Sequence, residues 1–140
     1  MTATQESQCE LEVAEAARAL VTAFSNFDRD SYFACFTEDA DFIFYNSDVT
    51  FSARSEYESA WSTWVEEGWR VRKCESLNPR IRIVDDQCAI FAHEVFTALD
   101  TSDGALDMHE RETIVFAKRG SQWLAIHEHL SSYPSPELTA

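Results

Sequence analysis

The sequence predicts an α+β fold, with N-terminal helices packed on a strongly bent antiparallel sheet. Three observations carry that reading. Helical periodicity is confined to the first half: Val13, Ala17, Leu20, Phe24 and Phe27 recur at spacings of four and three, and Tyr57, Trp61, Trp64 and Val65 form a second stripe. From Trp69 onward the chain reads as β-rich runs separated by short polar turns. One of those runs is interrupted by Asn78-Pro79, which bends a strand without ending it. Helices first and strands afterwards is the α+β order. The 140 residues suffice for one domain with a real core, expected over 1–140 with tails at 1–6 and 132–140.

Each element has a local reason. Ser7-x-x-Glu10 has the capping-box pattern and predicts a first helix over about Gln8–Phe27. Asp30 can cap a short second helix, Ser31–Phe36, whose Tyr32, Phe33 and Phe36 fold back on the first. Ala40–Tyr45 reads as a strand, Asn46-Ser47-Asp48 as a turn and Val49–Ser52 as a short return strand. Ser55-x-x-Glu58 predicts the third helix, which Gly68 stops. Trp69–Leu77 and Arg80–Val84 form one bent strand, Cys88–Leu99 the next, and Met108–Leu130 a hairpin turning at Arg119-Gly120-Ser121.

Composition excludes several classes. A formal net charge of −14 argues against nucleic-acid binding, which needs clustered Lys and Arg. No apolar run is long enough to span a bilayer, and the N-terminus lacks the pattern of a signal peptide. Cys9, Cys35, Cys74 and Cys88 show no metal or redox spacing, so free thiols in the cytoplasm are expected. No GxSxG, Walker, GxGxxG or HExxH motif is present, and no cofactor is expected.

The hairpin carries the main chemical candidates. A three-residue turn would set Glu112 opposite Glu128, and like charges directly opposite each other are unfavourable unless solvated, bridged or sharing a proton. Continuing that register places Glu94 beside Glu112, a row of three carboxylates, with Arg80 and Arg82 on the same face. Two readings stay open. The row is a cavity floor with Glu112, Glu128 and Glu94 as acid or base and Arg80 as ligand clamp. Alternatively it is a satisfied carboxylate–arginine network without chemistry. Phe42, Phe44, Trp61 and Trp64 are the apolar wall of the same expected cavity, although aromatics at this spacing also suit a plain core.

The other hairpin face would carry Trp123, His127 and His129, with Arg111 and His93. Two imidazoles on one strand face suit a metal, but no third ligand has motif spacing, and no metal is expected. Phe91, Val95, Val115, Ala125 and Trp123 leave this sheet face apolar with no helix to cover it. A second copy is the economical cover, which predicts a homodimer through the sheet.

This order of elements resembles the NTF2-like (nuclear-transport-factor-2-like, cystatin-like) cone, shared by ketosteroid isomerases, scytalone dehydratases and SnoaL-type cyclases. A more local likeness is to the association (hub) domain of calcium/calmodulin-dependent kinase II and its stand-alone bacterial relatives. Asn78-Pro79, Asp85-Asp86, Glu112-Thr113, Arg119, Trp123-Leu124 and His127-x-His129-x-Ser131 look like that family. The resemblance implies a cone whose concave side holds a ligand cavity. It also implies two departures. The isomerase base on the first strand falls on Phe44 and the helix-one tyrosine near Leu20, so steroid-type enolisation is not expected. The arginines of the hub cavity fall on Glu94, Ile114 and Leu130. The expectation is therefore a homodimer that binds a small molecule, with cofactor-free acid–base catalysis of isomerase, dehydratase or cyclase type as its chemistry. The alternative is an oligomerisation hub without catalysis.

Overall fold

The structure is a computed structural model described over residues 1–134, with α1 (Ala3–Ser25), α2 (Arg29–Phe33), β1 (Phe36–Phe44), α3 (Arg54–Glu66), β2 (Arg70–Asp85), β3 (Cys88–Thr101), β4 (Gly104–Arg119) and β5 (Gln122–Ser132). The tail expected over 132–140 lies outside the described residues from 135 onward.

Helix α1 begins earlier than Ser7 suggests. The Thr2 side chain accepts from the Gln5 amide and Gln5 Oε1 accepts from the Thr2 amide, a reciprocal cap one turn upstream that brings residues 3–6 into the helix. Its buried stripe is Cys9, Val13, Ala17, Leu20 and Ala23. Asp28, not Asp30, caps α2 by accepting from the Ser31 amide. Helix α3 has Ala53 at its N-cap with no side-chain cap, and Glu56 reaches back to accept from the Ser52 amide.

The sheet order is β1-β5-β4-β3-β2. Strands β2 to β5 form an antiparallel meander, whereas β1 pairs parallel with β5. The sheet is therefore mixed rather than wholly antiparallel. No hairpin ties β1 to its neighbour, and the long excursion through α3 and β2–β4 leaves it free to enter β5's open edge in the same direction. The expected return strand at Val49–Ser52 reduces to one bridge, Phe42 to Phe51. Strand β2 bends where expected: its register shifts between Leu77 and Arg80, and Asn78 takes φ 51°, a left-handed conformation that asparagine tolerates.

Two turns and one bulge decide which side chains face the helices. Strands β3 and β4 meet at Ser102-Asp103, pairing Glu112 with His93 and Glu94 with Arg111. Strands β4 and β5 meet at Gly120-Ser121, a two-residue turn with Gly120 at φ 63°. Ile126 is then an extra residue opposite the Val115/Phe116 step, so Phe116 faces Ala125 while Ile114 faces Glu128. The bulge puts Trp123 and Ala125 on the same side as Glu128.

That side packs against the helices. Trp123 is buried in the core and donates its Nε1–H to Glu12 of α1 at 2.9 Å, so it does not belong to the outer sheet face where the sequence placed it. Phe91, Val95 and Ala125 are buried on the same inner side. The core continues as an aromatic cluster in which Trp61 stacks on Phe27 and Tyr32 at centroid distances of 5.4 Å each.

Candidate functional site

Helices and bent sheet enclose a cavity of about 400 Å³, within the range of small-molecule sites. Its opening is marked by the exposed Asn46, Glu67, Ser102 and Leu106. Aromatic walls come from α1, α2, β1, α3 and the approach to β2: Phe24, Tyr32, Phe44, Tyr57, Trp64 and Trp69. Strands β4 and β5 supply Glu110, Glu112 and Glu128.

Glu112 and Glu128 are diagonal neighbours, because Glu112 pairs with Leu130 and Glu128 with Ile114. Their carboxyls lie side by side in the buried end of the cavity, where two like charges are strongly disfavoured and a shared proton relieves them. Burial raises both above the ordinary carboxylate range, and the Glu112 charge lifts Glu128 much further. One proton is therefore held between the two carboxyls. The pair titrates as a unit.

Each carboxyl of the pair is also held from its own side. Tyr32 Oη donates to Glu128 Oε1 at 3.3 Å, so the 3.0 Å contact between Tyr57 and Tyr32 uses the hydrogen of Tyr57. On the other side His93 Nε2 lies 2.7 Å from Glu112 Oε1, and Ser76 Oγ lies 2.6 Å from His93 Nδ1. The His93 side chain is fully buried, and burial depresses its pKa to about 4. A neutral imidazole with its proton on Nε2 donates to Glu112 and accepts from Ser76 through Nδ1. Tyr57 and Tyr32 thus donate in sequence toward Glu128, while Ser76 and His93 donate in sequence toward Glu112 from the opposite side. The two donor chains end on the two members of the pair. The 11% of the Glu112 side chain that stays accessible opens on the cavity it lines. Glu110, one cavity step away on β4, accepts from Tyr45 Oη at 2.8 Å and is raised by burial.

The structure brings Glu112, Glu128, Phe44 and Trp64 together in the cavity lining. Phe42 and Trp61 are buried in the core behind it and do not line it. Glu94 is on the outer face, bonded to Asn78 at 2.6 Å and to His109 at 3.1 Å; the Asn78 bond draws its carboxyl below the usual range. The one-residue change in the β3–β4 register turned Glu94 outward and His93 inward. Arg80 is exposed on the outer side of β2 beyond its bend and cannot clamp a cavity ligand. His93, Ser76, Tyr32, Tyr57 and Glu110 were missed as site residues. The signal for His93 was available: Phe91, Val95 and Leu99 share its parity on β3. On the outer face His127 bonds Asp41 at 2.8 Å and His129 is exposed. Among the described residues no three His, Cys, Asp or Glu side chains converge on a metal position, and no helix is long and apolar enough to cross a membrane.

Known structures share this fold at low identity. A Xanthomonas campestris protein provisionally described as a calcium/calmodulin dependent protein kinase II association domain is 22% identical, with TM-score 0.74 over 89% of this chain and 87% of its own. The C. elegans kinase association domain gives 17% identity and TM-score 0.71 over 94% of this chain and 100% of its own. A Novosphingobium aromaticivorans protein provisionally described as a scytalone dehydratase gives 13% identity and TM-score 0.78 over 95% and 89%. At these identities the likeness shows the fold alone. A search of curated proteins finds no match. The SnoaL-like domain matches residues 13–136, nearly the whole cone and every cavity-lining strand; the chain belongs to the SnoaL-like family of the NTF2-like fold.

Proposed function

We propose that this protein binds a small molecule in the cone cavity and moves a proton on it through the Glu112/Glu128 pair, without a cofactor. The observation that supports the reading is the shared proton at the cavity lining. A carboxylate and a carboxylic acid side by side can take a proton from one atom and return one to another, as isomerisation, dehydration and cyclisation require. His93 holds Glu112 in place and Tyr32 holds Glu128, so neither carboxyl needs to reorganise when a ligand arrives. Free cysteines suit a cytoplasmic setting.

The test is to purify wild type, Glu112→Gln and Glu128→Gln, release whatever small molecules accompany each, and identify them by mass spectrometry. Occupancy and turnover of the identified ligand should fall in both variants. Unchanged binding and turnover in both would sink the proposal.

A second reading is favoured by one feature of the outer sheet face. Phe96, His109 and Tyr133 stack in a row with 4.0 Å between successive rings, and Arg111 lies 4.8 Å over Tyr133. Phe96 remains 41% exposed. Such a row, with His127 and His129 beside it, suits contact with a second copy, and likeness to association domains supports self-assembly. We propose a homodimer through this face, with Trp123 excluded because it is buried on the other side. Mass measurement in solution decides. A monomer removes the dimer, and a closed ring would favour the hub alternative over the enzyme.

A further inference from the structure

We infer that the cavity takes an organic cation, with a protonated amine held against Glu110 and an apolar, preferably aromatic, body among Phe24, Phe44, Trp64 and Trp69. The inference rests on the cavity-binding reading above and names the ligand class of that cavity. It gives a role to a carboxylate that the proton-transfer pair does not use.

Glu110 is 4% exposed, and Tyr45 bonds its Oε2 at 2.8 Å. Its Oε1 has no protein hydrogen-bond partner among the described residues, although Glu110 lines the cavity. Thr37 Oγ1 is the buried side-chain polar atom without a partner among the described residues, so Glu110 Oε1 keeps some accessible surface, and an ionised carboxylate oxygen open to a cavity favours a cation. No lysine or arginine lines this cavity, and none pairs with Glu110, Glu112 or Glu128 among the described residues. Cations elsewhere have other partners, as with Arg72 on Asp100, Lys118 near Glu12 and Arg54 on Glu58 and the Phe36 carbonyl.

The walls complete the selection. Trp64 and Trp69 stand 5.5 Å apart at their centroids, and π-faces attract an ammonium or its adjacent methylenes. Acids mark the whole route, with exposed Glu67 at the opening, Glu110 within and Glu112/Glu128 beyond. A chain of net charge −14 draws cations toward such a cleft and repels anions. A ligand carboxylate or phosphate would enter a poorly solvated space with no lysine or arginine in its lining to receive it.

Uptake of an ammonium is coupled to proton release. The titratable groups that feel Glu110 from neighbouring elements are Tyr45 beyond β1, Tyr57 on α3 and Cys74 on β2, with His93 of β3 held on Glu112. Glu112 shares the strand of Glu110 and Glu128 lies on β5. The tyrosines and Cys74 are all raised, Cys74 to about 12, so they stay neutral, as does His93 at neutral pH. The carboxyls remain as the groups that titrate. Burial raises Glu110, and an arriving cation lowers it again, expelling any proton it holds to solvent.

The experiment uses three probes on one skeleton: tryptamine, tryptophol and indole-3-acetate, titrated calorimetrically into the full chain. Tryptamine should bind at least about tenfold more tightly than tryptophol near pH 7, its affinity should rise from about pH 5 to pH 8, and indole-3-acetate should bind weakest. In Glu110→Gln the tryptamine preference should collapse to near parity while tryptophol affinity stays within about twofold, a control that the cavity is intact. Tryptophol or indole-3-acetate binding as tightly as tryptamine overturns the cation inference and leaves the cavity-binding reading standing. An undiminished tryptamine preference in Glu110→Gln overturns the assignment of the anchor. Binding of none of the three overturns the inference and counts against the cavity reading as well.

Discussion

His93 offers the sharpest test of the site's electrostatics. Its Nε2 lies 2.7 Å from Glu112, a distance that suits either an imidazolium–carboxylate ion pair or a neutral imidazole donating to a carboxylate. The two differ in sign. Burial lowers the His93 pKa from 6.5 to about 4, so the folded state binds fewer protons than the unfolded state between those values. Stability from this group is therefore present above about pH 6.5 and is lost as pH falls toward 4. A shift of roughly 2.5 units at 1.36 kcal/mol each amounts to about 3 kcal/mol. Glu110, Glu112 and Glu128 contribute with opposite sign in an overlapping window, so the wild-type curve alone does not isolate it. The difference between wild type and His93→Gln does, because glutamine keeps an amide donor for Glu112 and has no titration. Urea unfolding from pH 4 to pH 7 should show wild type losing about 3 kcal/mol relative to His93→Gln on acidification. A His93 pKa above 6.5 by NMR, or wild type gaining on the variant as pH falls, would establish the ion pair. It would refute the neutral chain of donors ending on Glu112.

The remaining predictions concern the groups around it. Glu128 is raised by burial and by Glu112, so the folded state holds the extra proton and stability declines as pH rises above 4.5. Glu128→Gln should gain on wild type from there to neutrality in the same unfolding assay, since its amide can still donate to Glu112. Tyr32→Phe removes the donor to Glu128 and the acceptor for Tyr57, and should cost about 1–3 kcal/mol by urea unfolding with the fold retained by circular dichroism. Trp61→Ala, at 1% exposure in the centre of the aromatic cluster, should cost about 3–5 kcal/mol in the same assay. Phe96→Glu should shift the solution mass from dimer to monomer with little loss of protomer stability.

Much of the cone was legible because its signals are local. The helical stripes, the Asn78-Pro79 bend and the order of strands each follow from residues within one or two turns of one another. The face of each strand is not local, because it depends on counting residues through turns. Between β4 and β5 the assumed three-residue turn was one residue too long, and the Ile126 bulge was unforeseen; together they moved Glu128 along the strand by two and kept it on the inner face. Between β3 and β4 there was one error and nothing to offset it, so Glu94 and His93 exchanged faces. Asp103-Gly104 was the clue to that short turn. Tyr32 and Tyr57 looked like core aromatics, and they are buried like core aromatics. Only their hydroxyl geometry, a long-range property, reveals them as donors.

The bent strand β2 bears on how copies of this chain can meet. It is the outermost strand on its side of the sheet, and a free edge of 16 residues is an invitation to strand-on-strand growth. This strand carries Arg70, Arg72, Lys73, Arg80 and Arg82, nearly half of the 11 basic residues in a strongly acidic chain, and it is broken midway by Pro79. Repulsion between two such rims, together with a missing amide at the break, closes off edgewise polymerisation. If copies associate as proposed, the outer side of the sheet is then the surface left to them, where a limited assembly can close on itself instead of extending into fibres.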